Sequence, residues 1–419
     1  MGLFGYQTIA GTIRERITLG RYKPGQKIPS IRQFAKEFKC NKLTVQRAFE
    51  LLRQKKVIEN RVGSGSYVRF PEQIIGSSAV FDFRSDYLDP SLFPYEQIQA
   101  IFNRLFDQKK AMALAPPPTE GDPGLIRALS CYYCLPSDQM LIISGAQQGL
   151  DLVSKVFGTT ISDALLFEDP TYPGAISLFK ARHFVPLEED GPDLIALKEK
   201  LHAPIRLFYT MPTVHSPTGI TYSLEKKKAI YRLAREHDFF IIEDDCFSEF
   251  KLAKSPRFID LGPDHTIYIK SLSQITVSGI RLGLMVVPKD LYSQFIQAKF
   301  SSDIASFGLM QRCLCEFIQE GFLQKHIDVV GPKIDQRRAR LIKVVENVSH
   351  LFLPYPQAGY SLWVKSRLSL PDVPVPWSRG QEFSFTPQIR SYFRLAFMHM
   401  DDDLFERGVQ YLAQILSSG

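Results

Sequence analysis

"YIKSLSQITVSGIRLG", Tyr268 to Gly283, is the stretch on which the fold is read. It begins as a strand-like run and ends on Arg281 and Gly283, spaced to hold an anion beside a strand. Ser271 and Ser273 come first and add two hydroxyls. Where a reactive amine would be sought after those serines stands Gln274. A lysine amine has a free lone pair and can form a Schiff base. The lone pair of an amide is delocalised into its carbonyl, so Gln274 is neither a useful nucleophile nor a proton carrier. The nearest amine is Lys270. On an extended strand it shares a face with Leu272 and Gln274, but roughly 13 Å back along the chain.

Outward from this stretch, apolar runs alternate with helical patterns. "MLIIS" precedes "AQQGLDLVSKVF", "ALLFED" precedes "YPGAISLFKA", and "IRLFYTM" and "HDFFIIEDD" follow. Continuous apolar runs, each leading into a helix, predict a mostly parallel sheet covered on both faces. Ligands of such sheets sit at the carboxyl ends of the strands, and three more stretches put polar groups there. "SGAQQG" (Ser144 to Gly149) sets Ala146 and Gln147 where a strand meets a helix, so that free N–H groups can bind an anion. Alone it reads more often as an ordinary helix start. "EDPTYPGA" carries Tyr172 on a loop, where its ring can cover a flat ligand. "IIEDDCFSEF" ends a buried strand in Glu243, Asp244 and Asp245, and a carboxylate there needs a partner.

Charge separates the two ends of the chain. Residues 1–70 hold 15 Lys and Arg against 4 Asp and Glu, while the chain as a whole carries +7. The whole positive excess thus lies in the head, the footprint of a polyanion-binding module on a near-neutral body. In that head, Ile9, Ile13 and Ile17 recur at helical spacing until Gly20, Pro24 and Gly25 stop them. Ser30 is placed to cap "IRQFAKEFK", with Ile31, Phe34, Ala35 and Phe38 inward. A third helix, "LTVQRAFELLRQKK", turns Val45, Ala48, Phe49 and Leu52 inward, leaving Lys42, Thr44, Gln46 and Arg47 at its outer start. Two short strands around "GSG" close the segment. A short turn followed by a helix with a basic, polar start suits a helix-turn-helix in the DNA major groove. The hairpin, beside Arg61 and Arg69, would be a wing approaching phosphates. A basic protein-interaction module is the bland alternative. "PEQIIGSSAV" (71–80) reads as a linker.

At 419 residues the chain can hold two or three domains. No apolar run approaches the ~18 residues of a membrane span. Six scattered cysteines favour a reducing cytoplasm. The pair Cys131 and Cys134 reads as small residues packed on a helix rather than a metal site, because no second pair or flanking His completes one.

The quoted motifs carry a resemblance. "YKPGQKIPSIRQFAKEF", "LTVQRAFELL" and "GSGSYV" together resemble the winged helix of GntR-type regulators, over residues 1–70. This implies that Ser30, Arg32, Thr44, Gln46, Arg47, Gly63 and Gly65 contact DNA. The order "SGAQQG", "EDPTYPGA", "MPTVHSPTG", "IIEDDCFSEF" and "YIKSLSQ…RLG" resembles the fold-type-I aminotransferases that use pyridoxal phosphate, over residues 81–419. The two together are similar to the MocR-type regulators. The resemblance implies that Ala146, Gln147, Ser271, Ser273 and Arg281 hold the cofactor phosphate. By the same token Tyr172 stacks on the pyridine ring, Asp244 faces its nitrogen, and Arg394 in "SYFRLAF" pairs with a ligand carboxylate. A surface ion pair is the bland reading of Arg394. A homodimer is implied as well.

Three positions depart from that pattern. Gln274 replaces the Schiff-base lysine. Cys246 or Phe247, depending on the spacing used, replaces a tyrosine that bonds the ring oxygen. Ser216 stands where related enzymes often have Asn. The expectation is therefore a cytoplasmic DNA-binding regulator whose degenerate aminotransferase-like domain dimerises and senses a small ligand, an amino acid or a vitamin B6 form. Pyridoxal phosphate would be held without a covalent bond or not at all. The competing expectation is a working pyridoxal-phosphate aminotransferase with a DNA-binding appendage.

Overall fold

The computed structural model describes residues 6–18, 22, 27–54, 57–61, 65–68, 81–158, 164–179, 183–250, 255–355, 358–368, 370, 376–384 and 386–417. Gly63, Arg69 and the stretch 71–80 lie outside the described residues, as does the side chain of Arg61. The chain divides into two compact units, Met1–Val80 and Phe81–Gly419.

In the small unit, α1 (Tyr6–Thr18), α2 (Ile31–Glu37) and α3 (Lys42–Gln54) precede a hairpin of β1 (Ile58–Arg61) and β2 (Gly65–Val68). Ile9, Ile13, Phe34, Val45, Ala48, Phe49 and Leu52 are buried together, as the helical spacing requires. Ser30 caps α2. Its hydroxyl accepts from the Gln33 N–H, and the Gln33 side chain accepts from the Ser30 N–H at 2.7 Å, a reciprocal capping box. Asn41 opens α3 by accepting from the Leu43 N–H at 3.1 Å. In the hairpin Ile58 faces Val68 and Arg61 faces Gly65, antiparallel.

In the large unit β3 (Met140–Ile143), β4 (Leu165–Asp169), β5 (His183–Glu188), β6 (Gly191–Pro192), β7 (Leu207–Thr210), β8 (Phe240–Asp245), β9 (Thr266–Ser271) and β10 (Gly283–Val286) form one sheet. Their order is β3-β10-β9-β8-β7-β4-β5-β6. The run from β9 to β5 is parallel, while β10 lies antiparallel between β3 and β9. Alternate residues serve opposite faces. Leu207, Tyr209 and Ile242 enter one apolar cluster, whereas Phe208, Ile241 and Leu166 enter another. Both faces are therefore covered, which is why these strands read as unbroken apolar runs. A second sheet, entirely antiparallel, orders β11 (Leu351–Phe352), β12 (Ser361–Ser366), β13 (Ser378–Arg379) and β14 (Tyr392–Ala396) as β11-β12-β14-β13.

Two expectations change. The strand carrying Lys270 ends at Ser271, so strand alternation does not reach Gln274. Lys270 is fully buried and donates to Glu249 Oε2 at 2.6 Å and Ser248 Oγ at 3.0 Å. Cys131 and Cys134 are exposed rather than packed. Cys134 ends the helix Pro123–Tyr133 in a left-handed conformation with φ 53°.

Candidate functional site

The large sheet brings the chemistry to one edge. β7, β8 and β9 run parallel and end near Thr210, Asp245 and Ser271, and β10 begins on that edge because Gly283 pairs with both Ser271 and Ile143. The closeness of that pairing requires glycine, since a Cβ at Gly283 would lie 2.5 Å from the Lys270 carbonyl. Over this edge opens a small cleft bordered by Ala146, Gln147, Tyr172, Asp244, Ser271, Gln274 and Arg281. The structure thus brings seven of the expected pocket residues together. Asp86, Met211, Ser216, Cys246 and Phe247 complete its wall. Ser273 is buried beside it, its N–H donating to Ser271 Oγ at 3.3 Å.

One end of the cleft is built for an anion. Gly145, with φ 88°, precedes the helix Ala146–Phe157 and gives it no side-chain cap. The Ala146 and Gln147 N–H groups therefore stand at an open first turn, where the helix end is electropositive. The Arg281 guanidinium sits against the same turn. A Cβ on Gly145 would lie 3.0 Å from its Nη2, and its hydrogen bond to the Ser144 carbonyl is long, at 3.4 Å. Among the described residues Arg281 has no ion-pair partner. Ser273 Oγ and Gln274 Oε1 are buried without a hydrogen bond. A free guanidinium, two open N–H groups and an orphaned hydroxyl are the donors a phosphate monoester takes up.

The other end is acidic and buried. Asp244 is 2% exposed. It accepts from the Tyr209 hydroxyl at 2.8 Å and from Cys246 Sγ at 3.0 Å. Burial pushes its carboxyl up to about 6, against the pull of these two hydrogen bonds. Burial and the neighbouring Asp244 push both Tyr209 and Cys246 well up, so each remains a donor at neutral pH. Among the described residues no cation bonds Asp244, although Lys270 acts on it from a distance, and a protonated pyridine nitrogen is the kind of partner it would take. Tyr172 lies over the cleft with its hydroxyl 3.4 Å from Gln147 Oε1. These residues fit a phosphorylated pyridine. The position after the two serines is an amide, and Lys270 donates to Glu249.

Arg394 does not border the cleft. It is 6% exposed and pairs at 2.9 Å with Asp86, whose side chain is 39% exposed, so a buried arginine meets a carboxylate of its own chain that reaches solvent. Sequence reasoning missed Asp86, Tyr209 and Tyr360. Tyr209 left one signal: a hydroxyl inside an otherwise apolar buried strand needs a partner. Asp86 left none in a polar loop stretch.

In the small unit Arg32 stands exposed on α2, and Lys42, Gln46 and Arg47 stand exposed on α3; Thr44 is half-buried. Ser30 is exposed at the start of α2, and Gly65 opens β2 with φ 118°.

Residues 87–411 match the family described as aminotransferase class I and II, and residues 5–68 match the bacterial regulatory proteins of the gntR family. The chain belongs to the class I and II aminotransferase family. Its head is a GntR-type helix-turn-helix, and the body is a fold-type-I aminotransferase domain with a mostly parallel central sheet. The uncharacterized HTH-type transcriptional regulator YcxD of Bacillus subtilis (strain 168) is 27% identical over 354 residues, 81% of this chain and 80% of that protein. The probable rhizopine catabolism regulatory protein MocR of Rhizobium meliloti is 23% identical over 428 residues, covering 91% and 86%. Among solved structures, LysN, the alpha-aminoadipate aminotransferase of Thermus thermophilus complexed with N-(5'-phosphopyridoxyl)-L-leucine, superposes with a TM-score of 0.74 at 26% identity. That alignment covers 83% of this chain and 96% of LysN. The same GntR-plus-aminotransferase architecture as in MocR-like regulators is thus present here.

Proposed function

We propose that this chain is a cytoplasmic transcriptional regulator whose aminotransferase domain receives a ligand and performs no turnover. The observation that carries the reading is Gln274, which borders the cleft where no lysine does among the described residues. The parts in this reading are residues 1–70 as DNA reader, 71–80 as linker and 81–419 as ligand-binding and dimerising domain. When bound, pyridoxal phosphate supplies an electron-withdrawing ring. Ala146, Gln147, Ser271, Ser273 and Arg281 would hold its phosphate, Tyr172 would cover the ring, and Asp244 would keep a proton on the ring nitrogen. The ligand acts by population shift, favouring one arrangement of the DNA-reading heads over another.

The test has two parts. Full-length protein treated with pyridoxal phosphate and borohydride is expected to carry no reduced pyridoxyl tag, and a tag together with amino-donor turnover would establish the rival reading. That rival, a working aminotransferase, draws support from the likeness to LysN. On DNA, Arg32→Ala and Arg47→Ala in the full chain should each weaken binding and lower the salt-dependence slope by about 1. Unchanged affinity in both would remove the head from DNA recognition.

A further inference from the structure

Arg394 is held inside the fold by both of its terminal nitrogens. Nη1 donates to Asp86 Oδ2 at 2.9 Å, Nη2 donates to the Arg84 carbonyl at 2.7 Å, and Nε is buried without a partner. The guanidinium also lies 4.9 Å from the Phe383 ring centroid. Both Nη atoms, the pair with which an arginine grips a carboxylate end-on, already hold acceptors of this chain.

The segment that presents Asp86 is itself fastened. The Phe83 N–H donates to the Pro376 carbonyl, the Ala396 N–H to the Phe83 carbonyl and the Asp89 N–H to the Met398 carbonyl, each at 2.8 Å. The Tyr360 hydroxyl donates to the Asp86 carbonyl at 2.9 Å. A ligand carboxylate seeking Arg394 must displace a tethered competitor, which holds its place at high effective concentration. It must also approach Asp86 itself, which borders the cleft, and like charges there repel.

We infer that Asp86 is a specificity residue that fills Arg394 from within and makes the cleft select ligands without a carboxylate. The class of ligand is a phosphate-bearing aromatic amine, its phosphate toward Arg281 and its cationic nitrogen toward the acidic wall of Asp86 and Asp244. Amino acids, and cofactor adducts that keep an amino-acid carboxylate, are excluded. This rests on the reading of the cleft as a pyridoxyl-phosphate site.

Two probes of nearly equal shape isolate the charge: N-(5'-phosphopyridoxyl)glycine and the corresponding glycinamide. Calorimetry on the full-length dialysed protein is expected to give an affinity for the glycinamide about tenfold above that for the acid, because the acid finds Arg394 already paired and meets a carboxylate at the cleft wall. Asp86→Ala frees Arg394 and should reverse the preference in favour of the acid. Asp86→Asn keeps the shape and removes the charge, and should bring the two affinities within about threefold. Thermal unfolding of both variants checks that Arg394, left alone, has not unfolded the domain. Equal or better binding of the acid by the unmodified protein, or the same preference in all folded variants, would overturn the inference while leaving the cleft reading intact. Binding of neither probe, nor of pyridoxamine 5'-phosphate, by any form would overturn the cleft reading and this inference with it.

Discussion

At the scale of single residues, the cleft keeps a buried acid in the position where protonation matters. The Asp244 carboxyl stands at about 6 because burial penalises its charge. In the unfolded chain an aspartate titrates near 3.9, so the folded state binds this proton more tightly. The stability it contributes is present below that lower value and is lost as pH rises through about 6. The ligand-free protein should accordingly show a melting-temperature difference, parent minus Asp244→Asn, that declines between pH 4 and pH 6 and flattens above it. Melting curves of both proteins in a pH series measure this, and a difference that grows with pH would mean that Asp244 is charged and paired. At Gln274, Gln274→Lys places an amine beside the cleft. It is expected to yield a borohydride-trapped pyridoxyl tag located to position 274 by peptide mass spectrometry. No tag at any pH from 7 to 9 would mean that the cleft does not admit the aldehyde.

At the scale of elements, the small unit depends on its caps. The Ser30 hydroxyl and the Gln33 side chain satisfy each other's backbone donors at the start of α2. Ser30→Ala should cost about 1 kcal/mol, seen as roughly fivefold faster hydrogen exchange in the first turn of α2. Exchange unchanged there would show that Gln33 alone suffices. This cap was legible in the sequence, as were the runs that became β3, β4, β7 and β8, because a strand covered on both faces reads as a continuous apolar run. The grouping of Ala146, Gln147 and Arg281 left a trace too, since Gly145 before the helix and Gly283 at the start of β10 mark close backbone approaches. What stayed hidden was every contact made across the chain. Asp86 and Arg394 are 308 positions apart, and Tyr209 reaches Asp244 from a neighbouring strand. Periodicity reports which face a residue uses, and nothing about which distant segment arrives there. Lys270 was misplaced for a related reason: alternation was extended past the residue where the strand ends.

At the scale of the whole molecule, the large unit leaves an apolar surface in the open. Met112, Leu114, Phe300, Ile304 and Phe307 are each 60% exposed or more. The segments carrying them are adjacent, since Arg312 donates to the Ala113 and Ala115 carbonyls at 2.7 and 2.8 Å. Ser306, between Ile304 and Phe307, meets Ser144 Oγ at 3.1 Å, so the patch adjoins the anion end of the cleft. Apolar side chains gathered in this way are typical of a surface that a partner covers. A second copy is the expected partner, which would set two basic heads on one DNA. Ile304→Glu with Phe307→Glu should convert the protein to a monomer in sedimentation velocity without lowering its melting temperature by more than a few degrees, because both side chains are solvent-exposed in one copy. DNA binding to a two-site operator should then fall by about a hundredfold, the lower end of what linkage of two modest sites contributes. A single half-site should be bound as before. A variant that stays dimeric, or a monomer that binds both DNAs like the parent, would place self-association elsewhere on the large unit or detach it from DNA recognition.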